Sequence, residues 1–139
     1  DEQIRQSIVM MEPKWSEKEI EFDVDMMDVE YLGNENLICH VWDNLLSNAI
    51  KFSPCGGTIY IRMMPEGEKI RFSIENEGPQ ISEYSMKHIF DKFYQGDSSH
   101  KQEGNGLGLA LVKQILNLCM GTVSVENIPG SGCRFTVIL

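Results

Sequence analysis

Three groups of residues in this 139-residue chain combine types and spacings suited to chemistry. The first is Asn44, Asn48 and Lys51, at offsets i, i+4 and i+7. On a helix those offsets bring all three side chains to one face. A merely solvated face draws on Glu and Lys rather than Asn, a poor helix former. The amides of Asn44 and Asn48 can offer oxygen to a hard cation such as Mg²⁺, or N–H donors to phosphate. Lys51 can neutralise phosphate charge. The second group is Asn76, Gly78 and Ile81, within Glu75-Asn76-Glu77-Gly78-Pro79-Gln80-Ile81. A side-chain oxygen at a strand end can accept a hydrogen bond from the amino group of a base. Asn, Gly and Pro are also common turn residues, and alone this group reads as a turn. The third is Gly104-Asn105-Gly106-Leu107-Gly108-Leu109. A G-x-G-x-G run opening a helix aims free backbone N–H groups and a positive dipole end at an anion. No Gly-Lys-Ser/Thr follows, so it is not a P-loop. It follows a loop rather than a strand, which excludes the dinucleotide fingerprint. By itself a glycine-rich hinge would look the same.

These groups need elements to hold them. Leu37, Val41, Leu45, Ala49 and Phe52 form an apolar stripe, with Ile38, Trp42, Leu46 and Ile50 beside it, which predicts a helix over 35–53. Ser53-Pro54-Cys55-Gly56-Gly57 stops it. Ile59, Ile61 and Met63 alternate with polar residues, as do Ile70, Phe72 and Ile74. That is a hairpin over 58–64 and 69–76, joined by Pro65-Glu66-Gly67-Glu68. A second strong helix is expected over 107–120, then strands over 122–127 and 133–139 around Pro129-Gly130-Ser131-Gly132. Before α-helical residue 35, the pattern predicts a helix over 2–12 ending at Pro13, a strand over 19–24 and a short strand from Val29 to Leu32. A short helix is expected over 83–90. Residues 91–106 lack periodicity and carry Gly96, Gly104 and Gly106, the pattern of a long polar loop of the kind that often serves as a functional lid. Hairpins dominate over regular βα alternation, so the chain reads as an α+β sandwich.

Composition sets the outer limits. Hydrophobic residues make up 42% and charged residues 24%, ordinary for a globular chain long enough to bury a core. No apolar run is long enough to span a membrane, and no leader opens the chain. A start at Asp1 leads us to expect a piece of a longer protein, with 1–139 forming one domain. The formal net charge is −9, and no basic footprint for a nucleic acid is present. Residues 1–30 hold ten acids against Arg5, Lys14 and Lys18, so the remainder is nearly neutral and can accept an anionic ligand. Cys39, Cys55, Cys119 and Cys133 show no C-x-x-C pair and read as reduced core thiols of a cytosolic protein.

The order of the three groups is distinctive. Over nearly its whole length the sequence resembles the ATP-binding catalytic domain of bacterial sensor histidine kinases, within the gyrase–chaperone–histidine-kinase–MutL superfamily. The stretch from His40 to Ser53 resembles that family's N box, and residues 76–81 its first glycine box. Ile89-Phe90-Asp91-Lys92-Phe93-Tyr94 is similar to its F box, and Gly104–Leu109 to its second glycine box. Gly132-Cys133-Arg134-Phe135 resembles the closing strand.

The resemblance implies a two-layer α/β sandwich of Bergerat type, with a mixed, mostly antiparallel sheet packed on about three helices and a mobile ATP lid. It implies that Asn48 takes the Mg²⁺ bridging the phosphates, that Asn44 and Lys51 contact phosphate in transfer, and that Phe52 lies beside the nucleotide. Asn76, with Gly78 and Ile81, would read adenine. Gly104, Gly106, Leu107, Gly108 and Leu109 would shape the lid and give backbone amides to the phosphates. Phe90 and Phe93 would anchor the lid, and Lys92 would reach phosphate. The sequence departs from the pattern at Asn76, where the family has Asp, and at Gln80, where it has Gly. A neutral acceptor at Asn76 forgoes a charge-assisted bond, a difference of about 1 kcal/mol.

The implied activity is transfer of the γ-phosphate of Mg-ATP to a histidine in an upstream dimerisation domain, with a response regulator as the next partner. His40, His88 and His100 lack the acceptor context, so the acceptor lies outside this chain. The resemblance places this domain in the cytoplasm, without contact with the membrane or nucleic acid, as part of a membrane-bound sensor. In the superfamily's ATPases a Glu occupies the position of Asn44, and an amide cannot act as a general base, so efficient hydrolysis is not expected. Two other readings are compatible with the binding boxes: a degenerate nucleotide-binding regulatory module, and a protein-serine kinase of the anti-sigma type.

Overall fold

The structure is a computed structural model, and it describes residues 1–92 and 108–139. Its centre is helix α3, Glu35–Phe52, at which the apolar stripe of the sequence becomes a buried face: Ile38, Val41, Trp42, Leu45, Leu46, Ala49 and Ile50. The Asn34 side chain caps the first turn by accepting a hydrogen bond from the Leu37 N–H at 3.1 Å. Chain order is α1 (Glu2–Met10), α2 (Glu12–Glu17), β1 (Glu21–Met26), α3, β2 (Thr58–Glu66), β3 (Lys69–Glu77), α4 (Glu83–His88), α5 (Gly108–Leu118), β4 (Thr122–Asn127) and β5 (Gly132–Ile138).

The strands form one sheet in the order β1-β2-β3-β5-β4. β1 runs parallel to β2, with Glu21 opposite Thr58. All other pairs are antiparallel. The sheet is therefore mixed and mostly antiparallel, as expected. The parallel pair follows from α3, which carries the chain back across the sheet between β1 and β2. Alternation sends Ile59, Ile61, Met63, Phe72, Ile74, Phe135 and Val137 to one face, where they pack with α3, α5 and Ile4 of α1. Each such fully buried side chain contributes about 1.5–3 kcal/mol of transfer free energy. Trp42 joins the layers, its ring centroid 4.8 Å from that of Phe72 and its indole N–H donating to Gln3 Oε1 at 2.9 Å. The other sheet face is polar, with Arg134 bridging Glu75 at 2.9 Å and Glu126 at 3.0 Å.

Several local expectations are corrected. Pro13 does not end helical structure; it lies in the first turn of α2, where a missing N–H costs nothing. Val29–Leu32 is not a strand: Leu32 is 100% exposed and Tyr31 also faces outward, so no burial drives pairing. The β2–β3 strands run further than expected, with Glu66 paired to Lys69 and a two-residue turn made possible by Gly67 at φ 64°. The short helix ends at His88. Only Cys133 of the four cysteines is fully buried, and Cys55, in the turn after α3, is exposed.

Candidate functional site

Asn44, Asn48 and Lys51 lie along one half-buried strip of α3, flanked by the fully buried Leu45, Ala49 and Ile50. Asn44 Nδ2 donates to the His40 carbonyl at 2.7 Å, which turns its oxygen outward from the helix. That oxygen faces Gly108, the first described residue of α5; a Cβ on Gly108 would come within 2.8 Å of Asn44 Oδ1. The second glycine group and the Asn/Lys group therefore meet at this point. The first turn of α5, whose N–H end carries the positive end of the helix dipole, begins at Gly108 beside the strip. Asn48, one turn further along, makes no side-chain hydrogen bond among the described residues and keeps its amide oxygen available. Lys51 Nζ sits 5.3 Å from the Phe52 ring centroid.

The first glycine group meets the other end of the strip. Gly78 has φ 138°, and a Cβ there would lie 2.5 Å from the Phe52 carbonyl oxygen. Only glycine lets the chain after β3 pass this close to the C-terminus of α3. From Asn44 to Phe52 the helix rises about 12 Å, so the two glycine contacts bound a strip of that length. Lys18 fixes its far end: Nζ donates to the carbonyls of Ile50 at 2.8 Å and Lys51 at 3.1 Å. A cation there also complements the negative end of the helix dipole.

Asn76, the penultimate residue of β3, lies beside this junction and is 2% exposed. Its Nδ2 donates to the Glu77 carbonyl at 3.0 Å, and its Oδ1 accepts from the Cys133 thiol at 3.6 Å. Asn76 and Cys133 are register partners across β3 and β5. Burial, with the nearby Glu75 carboxylate as the lesser cause, pushes the Cys133 thiol up to about 11, so it stays protonated and donates.

Ile81 is held by Asn127, whose Oδ1 accepts from the Ile81 N–H and whose Nδ2 donates to the Ile81 carbonyl, both at 2.8 Å. Gln80 Nε2 donates to the Ile128 carbonyl at 3.2 Å. Gln80 thus ties the turn to the end of β4 in place of a glycine's freedom. Phe90 packs edge-on to Phe135, with centroids 6.2 Å apart, and Lys113 lies 5.6 Å from its ring. Lys92 is exposed, and Leu109 is half-buried against the core. Phe93, Gly104, Gly106, Leu107 and the expected lid lie outside the described residues, apart from Asp91 and Lys92 at its start.

Lys18 and Asn127 are positioning residues that the motif reading did not single out, and Cys133, part of the closing-strand motif, had no role assigned to it. Lys18 and Asn127 act on backbone groups 32 and more positions away. No local pattern marks such contacts.

Residues 33–139 match the family described as "Histidine kinase-, DNA gyrase B-, and HSP90-like ATPase". The heme sensor protein HssS of Staphylococcus saprophyticus is 34% identical over 122 residues, which is 88% of this chain and 26% of that protein. This chain therefore spans about a quarter of that relative's length. Among solved structures, the mycobacterial sensor histidine kinase MprB superposes with a TM-score of 0.91 at 28% identity, covering 99% of this chain and 93% of that one. The histidine kinase ShkA, solved in complex with AMPPNP, gives 0.82 at 27% identity, with 98% and 28% covered. Histidine kinase ThkA, solved with the response regulator TrrA, gives 0.79 at 28% identity, with 99% and 39% covered. A match that begins just before α3 and includes both glycine contacts places this chain in the histidine kinase-, DNA gyrase B- and HSP90-like ATPase family.

Proposed function

We propose that this chain is the ATP-binding catalytic domain of a sensor histidine kinase, holding Mg-ATP for transfer of its γ-phosphate to a histidine on a separate dimerisation domain. The observation that carries this is the convergence on α3: Gly108 against Asn44, Gly78 against the Phe52 carbonyl, and a polar strip between them. The base would lie at the Asn76–Gly78–Phe52 end, and the phosphates at the Asn44–Gly108 end. There Asn44 supplies an amide and the first turn of α5 supplies N–H groups, while Lys51, next to Phe52, supplies positive charge from the other end of the strip. Leu109 would close the apolar side of the α5 end, and Lys92 would reach phosphate from its exposed position. The AMPPNP complex of ShkA supports nucleotide binding by such a fold.

The chain's donors suit a magnesium ion that travels with the nucleotide. Among the described residues no cluster of three His, Cys, Asp or Glu could hold a metal alone. The amide oxygen of Asn48 would suit an ion that takes most of its other ligands from water and phosphate. When bound, the ion neutralises phosphate charge. Phosphoryl transfer depends on positioning and charge neutralisation more than on protein acids and bases. The strip provides those and offers no carboxylate at position 44 to activate water, so transfer is favoured over hydrolysis. In the transfer the bond from the γ-phosphorus to the β,γ-bridging oxygen breaks, a phosphorus–nitrogen bond forms at the acceptor imidazole, and ADP leaves.

The acceptor is proposed to lie upstream in the full protein, with a response regulator receiving the phosphoryl group next; the ThkA–TrrA complex supports that partner class. No helix among the described residues is long and apolar enough to cross a membrane. We place the domain on the cytoplasmic side of a membrane-bound sensor. The test is calorimetric titration of AMPPNP into this chain with and without Mg²⁺, followed by phosphotransfer from ATP to a separately supplied dimerisation domain. Mg²⁺-dependent binding and labelling of the acceptor histidine are expected. Absence of binding in both conditions refutes the reading.

A further inference from the structure

The sheet face turned away from α3 and α5 gathers positive charge that the nucleotide strip does not use. The chain has four arginines. Three of them, Arg62 on β2, Arg71 on β3 and Arg134 on β5, line one depression of about 280 Å³ together with Tyr60, Ser73 and Glu75. Strand register explains the hollow. Ser73 stands opposite Arg62 on β2 and opposite Thr136 on β5. Arg71 and Glu75, two positions away on β3, share its face, and Glu75 stands opposite Arg134. The short side chain of Ser73 thus lies among long ones. Its hydroxyl and that of Tyr60 make no hydrogen bond among the described residues.

Much of the donor capacity of these arginines is unused, since each guanidinium carries several N–H groups in a planar fork. Arg71 commits only Nε, to Glu66 at 3.4 Å. Arg62 commits only Nη1, to the Asp23 carboxylate at 3.1 Å and to the carbonyls of Asp23 and Ile61. Its guanidinium lies 5.9 Å from the Tyr60 ring centroid, which holds it against the sheet. Arg134 is held by Glu75 and Glu126. Asp23, Glu66 and Glu126 stand outside the lining, where three guanidinium groups face one carboxylate. Their side chains are more than half exposed, so these ion pairs are weak and can exchange for a better-placed anion. We infer that this face binds a compact polyanion, a small molecule carrying two or more carboxylate or phosphate groups. Its anionic groups take the free forks of Arg62 and Arg71 and the flank of Arg134, with the Ser73 and Tyr60 hydroxyls as further donors. The volume is close to that of the smallest clefts that hold small molecules, which favours such a ligand over a folded partner. The site lies across the sheet from α3, so it is separate from the nucleotide strip and does not depend on the function proposed there.

The probes are citrate and tripolyphosphate, titrated separately into the isotope-labelled chain without nucleotide or Mg²⁺, with backbone amide shifts followed by NMR. Ionic strength is held constant so that screening does not change. Saturable shifts are expected at residues 60–62, 71–75 and 134. Arg71→Gln is expected to weaken binding at least about fivefold. The Arg71 side chain is 46% exposed, and the amide spectrum itself verifies that the variant is folded. Lys14→Gln removes the same unit charge from an exposed position on α2. It is expected to leave the affinity within about twofold of the parent. The tighter of the two probes identifies the ligand's groups as carboxylate or phosphate. Shifts confined to α3 and the start of α5 put the anion at the nucleotide strip and overturn the proposal. So do equal affinities for the parent and Arg71→Gln, or shifts that rise without saturating. Tighter binding of hexaglutamate than of either small anion at the same amides overturns the ligand class in favour of an acidic peptide.

Discussion

Gly78→Ala tests the contact that joins the β3 end to α3. Two costs arise. The residue sits at φ 138°, a conformation L side chains rarely adopt, at about 1–3 kcal/mol. The new methyl would also stand 2.5 Å from the Phe52 carbonyl oxygen. That oxygen belongs to helix backbone held in place by Lys18 at the neighbouring carbonyls, so it cannot swing away. Relief of the overlap by backbone shifts costs about 1–3 kcal/mol. The whole loss is about 2–6 kcal/mol. A chain of this size unfolds with an entropy of about 0.3 kcal/mol/K, so Tm should fall by about 7–20 °C. The control is Gly67→Ala, where φ is 64° and no heavy atom lies within 4 Å of the new Cβ. It carries only the backbone cost of about 1–2 kcal/mol, or about 3–7 °C. Circular dichroism melts of the two variants and the parent make the comparison. If the variants melt within about 3 °C of one another, the close approach at Phe52 contributes nothing and the reasoning fails.

Asn48→Ala should leave the melting temperature within a few degrees of the parent and abolish the Mg²⁺ dependence of AMPPNP affinity; calorimetry showing an unchanged Mg²⁺ effect rejects the assigned role. Lys18→Met removes two charge-assisted bonds from the α3 terminus and should cost about 1–3 kcal/mol in urea unfolding, with an unchanged midpoint counting against the cap. The raised pKa of Cys133 predicts a pH effect. Its ordinary value is 9.0 and its folded value about 11, so the unfolded chain releases the proton first as pH rises. Its contribution is complete below about pH 9 and is lost as pH climbs toward 11. Urea midpoints should therefore fall less steeply over that window in Cys133→Ala than in the parent; equal slopes refute the shift.

The main helix and the hairpin were legible because their signals are local. The stripe on α3 and the alternation in β2 and β3 report burial within a few residues of chain. The boxes also appeared as chemistry at helical spacing, and Gly78 and Gly108 stand where those boxes meet α3. Elements that lack a burial signal were misread. α2 buries no residue fully, and Pro13 suits a helix start as well as a helix stop. Val29–Leu32 has the residue types of a strand and no partner surface to favour one. The β1–β2 pairing spans 37 positions and carries no local mark of its parallel sense. Lys18 and Asn127 were missed for the same reason, since each satisfies backbone groups brought near only by the finished fold.

The sheet order has a consequence for how the chain is made. β5, the last described strand, is not an edge strand; it lies between β3 and β4. During synthesis β2 and β3 can close early through a two-residue turn. β3 then waits more than fifty residues for its other neighbour, with a row of open N–H and C=O groups along its free side. Ribosomes add roughly 5–20 residues per second, so that side is exposed for some seconds in each nascent molecule. A chain cut short before residue 132 would keep it exposed permanently, and two such chains could pair there.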